Sequence, residues 1–162
     1  RVRKTYVGGA FGGKISLFAF EFITALLSKI TLKPVKTVLT REEVFFACPS
    51  ARRMIITLKT GVKRNGRITA QHVKIIDDVG AYRRSSPTAL YLAHVFRNPI
   101  YDIPNIRHEG YGVYTNKIFT TAKRGHGLQQ MVFAVESQLD MICDRLGIDK
   151  LEMRLKNLRK AG

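Results

Sequence analysis

Two glycine-bearing loops hold the residue types that could do chemistry. Arg124-Gly125-His126-Gly127-Leu128-Gln129-Gln130 follows a strand-like stretch ending at Asn116 and precedes the clearest helical pattern in the chain. Gly125 and Gly127 allow backbone N–H groups to approach a ligand closely. The N-terminus of the following helix favours negative charge, and Arg124 offers a planar fork of donors. Gly8-Gly9-Ala10-Phe11-Gly12-Gly13-Lys14 also runs from a strand-like stretch into a helical pattern and has the same chemistry. Both loops read as cradles for an anion or a phosphate-bearing cofactor, and they serve one site if the fold brings them together. The first is not a Walker loop, because Ile15 stands where that pattern needs Ser or Thr. Nor is it the dinucleotide fingerprint, whose third glycine falls elsewhere. A plain strand-to-helix turn accounts for it equally well. Phe11 reads as a core plug or as a lid over a ligand, with the core favoured.

The elements that position these loops follow from residue spacing. Residues 4–7 are expected to form a short strand, and residues 16–30 a helix. The apolar residues of that helix (Leu17, Phe18, Phe20, Ile23, Leu26, Leu27 and Ile30) cover more than one face, so it is expected to be buried. Residues 35–39 read as a strand. Thr40-Arg41-Glu42-Glu43 is a capping box that starts a short helix. Arg53–Val62 and residues 67–79 are rich in β-branched side chains and flank Asn65-Gly66, a hairpin signal. Residues 88–96 read as a helix and Asn105–Tyr114 as a strand, with Pro99 and Pro104 bracketing an irregular stretch between them. Met131, Val135, Leu139, Ile142 and Leu146 recur at helical spacing over 129–146. Gly147 is the natural C-cap, and Asp149 caps a last helix. The expected fold is α+β, a mixed or antiparallel sheet with packed helices, in a single segment covering 1–162.

The totals narrow the partners. The chain has 162 residues, 45% hydrophobic and 25% charged, the composition of a folded protein. Its 28 Lys and Arg against 12 Asp and Glu give a net charge of +16. Such a balance calls for an acidic partner: nucleic acid, a phosphate-bearing cofactor or an acidic subunit. The cations are scattered, and no helix-turn-helix, zinc-finger or ribonucleoprotein signature is present, so a basic nucleic-acid-binding module is the lesser reading. Cys48 and Cys143 form no disulfide framework and no metal spacing. They read as buried thiols of a reducing, cytoplasmic compartment. The apolar run from Leu17 to Leu27 is broken by Glu21 and is too short to span a bilayer. The chain opens at Arg1 and reads as a segment of something longer.

Further stretches occur in order around the two loops: Arg41-Glu42-Glu43, Asp78-Val79-Gly80-Ala81-Tyr82, Tyr101-Asp102-Ile103-Pro104-Asn105 and Thr115-Asn116. A helix with Glu136 and Leu139-Asp140 follows, then Leu146-Gly147 and Glu152-x-Arg154-x-x-Asn157. Together with the glycine motifs, they make the chain resemble the molybdenum-cofactor-binding subunit of the xanthine dehydrogenase/aldehyde oxidase family. The resemblance spans essentially the whole chain but only a piece of that longer subunit. It implies a molybdenum-molybdopterin cofactor, with the cytosine dinucleotide as one form, and FAD and 2Fe-2S clusters on partner subunits or domains. It also implies hydroxylation of a substrate carbon with oxygen from water, the protein contributing position and electrostatics. Carried over by motif, Gly9, Phe11, Gly12, Arg124, Gly125 and Gln130 bind the cofactor. Phe11 and Arg124 lie beside the molybdenum without being side-chain ligands, and the Arg124 cation stabilises negative charge there. No catalytic residue is expected in this segment, because the family's base is a glutamate near the subunit's C-terminus. Glu136 and Asp140 are expected to cap, pair or face subunits, and the isolated segment to be inactive. The implied partners are the remainder of the molybdenum subunit, iron–sulfur and FAD subunits and a small-molecule substrate, with no membrane.

The departures from the family pattern fall in the substrate pocket. Purine-oxidising members carry Glu directly after the first motif's Lys, an aromatic inside the second motif, and an arginine ahead of the Tyr-x-Ile-Pro-Asn stretch. Here those positions are Ile15, His126 and Leu92, which disfavours purine. Carbon monoxide dehydrogenases place a cysteine straight after the arginine; Gly125 stands there, which disfavours carbon monoxide. Aldehydes, aromatic heterocycles and aromatic CoA esters remain. His126 is read either as a polar substrate contact or as a solvent-facing or structural residue.

Overall fold

The hairpin expected across Asn65-Gly66 forms the centre of the molecule. The structure, a computed structural model, describes residues 3–95 and 100–160. Strand β1 (Arg53–Val62) pairs antiparallel with β2 (Ile68–Gly80), from Arg53 opposite Asp78 to Gly61 opposite Ala70. Strand β3 (Asn105–Tyr114) adds to the other side of β2 in parallel, giving a mixed sheet of order β1-β2-β3. The turn is not the two-residue form that Asn-Gly favours. Gly66 alone is left-handed (φ 82°), its N–H donates to the Lys63 carbonyl at 2.9 Å, and the Asn65 side chain accepts from the Arg67 N–H at 3.1 Å.

Strand alternation decides what faces the core. Gln71, Val73, Ile75, Asp77 and Val79 of β2 are all buried, two residues apart. Helix α4 (Leu128–Leu146) lays Met131, Val135, Leu139 and Cys143 against this sheet, one turn apart along a single stripe. Helix α3 (Ser86–Val95) contributes Ala89 and Ala93, whose small side chains allow close approach to α4 and the sheet. Helix α5 (Lys150–Asn157) closes the hairpin end, capped by Asp149. Buried Asn157 accepts from the Ile68 N–H and donates to the Gly66 carbonyl, both at 2.8 Å. Arg154 holds α5 to α4 through Glu136 and Asp140, both at 2.8 Å. Those two carboxylates therefore pair, as expected, and the Glu136 carboxylate also accepts from the Tyr101 hydroxyl.

Four expectations need correction. Residues 4–7 and 35–39 form no strand, and Tyr6 is fully exposed. A strand needs a hydrogen-bonding neighbour, and among the described residues neither stretch pairs with another strand. Helix α1 (Ala19–Thr31) has no buried residue; Phe22, Ile23, Leu26, Leu27 and Ile30 stay exposed. The helix forms from Ala19, and Phe18 at its N-cap is buried and stacks on half-buried Phe20, but no described element covers the other apolar residues. Cys143 is buried whereas Cys48, at the C-cap of α2 (Arg41–Ala47), is only half-buried. The Thr40 capping box is present, the Thr40 hydroxyl accepting from the Glu43 N–H and the Glu43 carboxylate from the Thr40 N–H. Phe96 and Pro99, part of two expected segments, lie outside the described residues. Among the described residues, no helix is long and apolar enough to cross a membrane.

Candidate functional site

The two glycine loops meet. The Arg124 N–H donates to the Phe11 carbonyl at 2.9 Å, and the Arg124 guanidinium lies 5.9 Å from the Phe11 ring centroid. Gly12 presses on the backbone of Ala122, so that a Cβ there would fall on the Ala122 carbonyl. Left-handed backbone makes this approach possible: φ is 112° at Gly9, 48° at Phe11 and 100° at Gly12. The second loop is built the same way, with φ 90° at Gly125, 44° at His126 and 98° at Gly127. Gly127 then serves as the N-cap of α4 and offers no capping side chain.

The second loop is tied to the sheet at several points. The Thr120 N–H donates to the Val79 carbonyl at 3.1 Å, and the Thr121 N–H to the Ser50 carbonyl at 3.3 Å. Asp78 accepts from the Thr115 hydroxyl and the Lys117 ammonium, both at 2.6 Å. The Asp78 and Thr115 motifs thus interlock, and the Lys117 cation holds the Asp78 carboxyl below its ordinary value. Gly80 sits so close to Ile118 and Phe119 that no side chain would fit.

The site is uniformly cationic. Residues 3–14 carry Arg3, Lys4 and Lys14, residues 117–130 carry Lys117, Lys123 and Arg124, and neither stretch has an Asp or Glu. Lys14 is committed to the Gly9 carbonyl at 2.7 Å, and Lys117 to Asp78. Arg124 is exposed and, among the described residues, has no ion-pair partner. The arrangement offers an anion a free guanidinium beside glycine backbone.

Phe11 is 64% exposed, so it is not a core plug; its ring folds back over Gly9 instead. Ile15 is exposed on the same loop, and Leu92 is half-buried on α3. Gln130 turns away from the loop mouth, its amide donating to the Arg52 carbonyl at 3.2 Å. His126 also points inward. Its Nδ1 is buried, and its surroundings are Arg52, Asp77 and the Ser85 backbone. The residues that sequence reasoning missed are Arg52 and Asp77, a buried ion pair at 2.7 Å. Period-2 alternation with Val73, Ile75 and Val79 was a signal for Asp77, since a carboxylate in phase with a core face demands a partner. Nothing local marked Arg52, which lies 25 residues away in sequence.

Burial pushes the His94 and His126 imidazoles below their ordinary 6.5; at His126 the Arg52 cation adds to burial, against the Ser85 backbone and Asp77. The His94 Nδ1 shares one hydrogen bond with the His108 Nδ1 at 2.7 Å. The unfolded chain therefore binds more protons than the folded one below 6.5, so this stability is present above that value and is lost as pH falls through it. The unfolding midpoint should drop between about pH 7 and about pH 5. Asp78 and Asp140, held low chiefly by Lys117 and Arg154, protonate only in more acid solution. A midpoint that stays level through the higher window rejects neutral histidines at these two places.

Residues 1–158 match the family profile described as the molybdopterin cofactor-binding domain. The chain is 41% identical over 160 residues to a probable xanthine dehydrogenase subunit of Bacillus subtilis (strain 168), covering 99% of this chain and 21% of that protein. It is 35% identical over 162 residues to the nicotinate dehydrogenase large molybdopterin subunit of Eubacterium barkeri, covering 100% of this chain and 38% of that one. The solved aldehyde oxidoreductase of Desulfovibrio gigas superposes with a TM-score of 0.85 at 31% identity, over 96% of this chain and 17% of its own. The chain thus spans 17–38% of the length of these relatives.

Proposed function

This chain belongs to the molybdopterin cofactor-binding domain family, and on that premise we propose that it is one segment of a molybdenum hydroxylase and holds one side of the pterin cofactor. The observation that carries the reading is the Arg124 N–H to Phe11 carbonyl bond, which makes one cationic, carboxylate-free cradle of two loops far apart in sequence. Such a cradle fits the cofactor's chemistry. Left-handed glycines at 9, 12 and 125 let the two loops fold tightly, Gly12 against the Ala122 backbone, and Arg124 is free to meet negative charge. In this reading Gly9, Phe11, Gly12, Arg124 and Gly125 hold the cofactor, and Gln130 fixes the loop to Arg52 from behind. When bound, the cofactor supplies the oxidation of a substrate carbon. The chain's share is to orient it and to balance its charge.

The substrate in this proposal is an aldehyde, an aromatic heterocycle or an aromatic CoA ester. Ile15, Leu92 and Gly125 argue against purine and carbon monoxide. The Bacillus subtilis relative's name, however, keeps purine among the heterocycles to be tested. His126 buries its Nδ1 while the residue as a whole is half-buried, so a substrate contact through the rest of its ring stays in this proposal. The proposed partners are the remainder of the molybdenum subunit and iron–sulfur and FAD subunits, in the cytoplasm. The cofactor is proposed as molybdenum-molybdopterin, with the cytosine dinucleotide as one form.

The test is metal and pterin analysis of the complete polypeptide that carries this chain. It should contain molybdenum and release a fluorescent pterin on denaturation, and Arg124→Ala should lower both severalfold. A wild-type protein free of both would end the proposal. Dye-linked assays with an aldehyde, a pyridine-type heterocycle, a purine and an aromatic CoA ester then sort the substrate. The segment alone should show no turnover with any of them.

A further inference from the structure

Behind the Arg124 loop lies a buried polar cluster with more hydrogen-bonding capacity than partners. Arg52 is 5% exposed and Asp77 fully buried. Arg52 Nη1 donates to Asp77 Oδ2 at 2.7 Å, and the Ser86 hydroxyl donates to the same oxygen at 2.8 Å. Gln130 reaches the Arg52 carbonyl, and Gly127, next to His126, packs on the Ala89 carbonyl of α3, the helix whose Ser86 binds Asp77. Five buried side-chain atoms lack a hydrogen-bond partner among the described residues, and four of them belong to this cluster: Arg52 Nη2, Asp77 Oδ1, His126 Nδ1 and Gln130 Oε1. An unmet buried polar group is destabilising, so four in one cluster call for a common ligand. A buried water serves such groups and typically makes about three hydrogen bonds.

We propose that Arg52, Asp77, Gln130 and His126 form a buried water site that locks the Arg124 loop to the sheet, and that His126 is a positioning residue working from inside the fold. Arg52 precedes β1 and Asp77 lies on β2, so both ride on the sheet. His126 and Gln130 belong to the loop and the first turn of α4. One water accepts from Arg52 Nη2 and from the His126 Nδ1–H, and donates to Asp77 Oδ1 and Gln130 Oε1. The water therefore ties loop to sheet at the point from which the Arg124 N–H reaches Phe11. The functional weight of this lock rests on the cofactor reading above; the lock itself does not.

Two substitutions separate a polar role for His126 from a space-filling one. His126→Asn keeps a polar atom near the ring Nδ1 position and tolerates the left-handed backbone at φ 44°. His126→Phe keeps an aromatic ring and removes the polar atom. Amide hydrogen exchange over residues 120–130 is measured in the complete polypeptide, with pterin content on the same samples. His126→Asn should keep the loop's protection within about twofold, while His126→Phe should lose about tenfold. Protection retained in His126→Phe, or lost equally in both, overturns the water site. Pterin content judges the other proposal separately: a wild-type protein without pterin ends the cofactor reading, while the order of the two variants still decides the lock.

Discussion

Asp77→Ala should lower the stability of the sheet by about 3–5 kcal/mol, the usual cost of leaving one member of a buried ion pair without its partner. Asp77 is fully buried and Arg52 nearly so, and their contact is 2.7 Å. Alanine would leave the Arg52 guanidinium in the core with the Ser86 carbonyl, at 3.5 Å, as its remaining protein acceptor among the described residues. It would also strip the Ser86 hydroxyl of its acceptor. Exchange of the β2 amides reads this cost locally, without requiring the whole polypeptide to unfold in one step. The double substitution Arg52→Met with Asp77→Leu should recover most of the loss, because it removes both charges and fills similar space. A loss under about 1 kcal/mol for Asp77→Ala would mean that bulk solvent screens the pair and that it behaves as a surface bridge.

Gly12→Ala should separate the two loops and empty the complete polypeptide of molybdenum and pterin while leaving the sheet folded. The added Cβ would meet the Ala122 carbonyl group well inside van der Waals contact, its carbon 2.5 Å away. That obstacle is backbone, so no side chain can rotate aside. The residue also sits at φ 100°, where an L side chain is strained by about 1–3 kcal/mol. Gly13→Ala is the control. A Cβ at Gly13 finds only the Ala10 carbonyl oxygen at an ordinary 3.5 Å, and φ there is not left-handed. Cofactor content should survive Gly13→Ala. Equal content in the two variants would refute the close approach as a requirement for binding.

Local chemistry was legible where the cause is local. The Thr40 capping box, the Gly147 C-cap and the Asp149 N-cap are all where spacing put them, because each needs only neighbours within a turn. Strands β1 and β3 have the expected bounds, and β2 is shifted from them by one residue at each end. The strand at 35–39 and the burial of α1 failed for the opposite reason: both depend on a second surface, and periodicity records a face without recording what covers it. The family resemblance held, since it rested on several motifs in order. The structure gives many of them architectural work: Asp78 binds Thr115, Arg154 binds Glu136, and Asn157 closes the hairpin.

Residue types alone placed glycine, arginine and an aromatic in the two loops, which reads as an anion cradle or as a plain turn. They also determined that the loops differ from a Walker loop and a dinucleotide fingerprint. Only the tertiary structure decided that the loops are one site, since the bond from Arg124 to Phe11 spans more than a hundred residues. It also decided the direction of His126. A loop histidine is free to face out or in, and the buried Arg52–Asp77 pair, brought together from β2 and the segment before β1, supplies a polar interior for it to face. Spacing along the chain carries no information about such pairings, because they depend on which strand faces and helix stripes the folded core brings into contact.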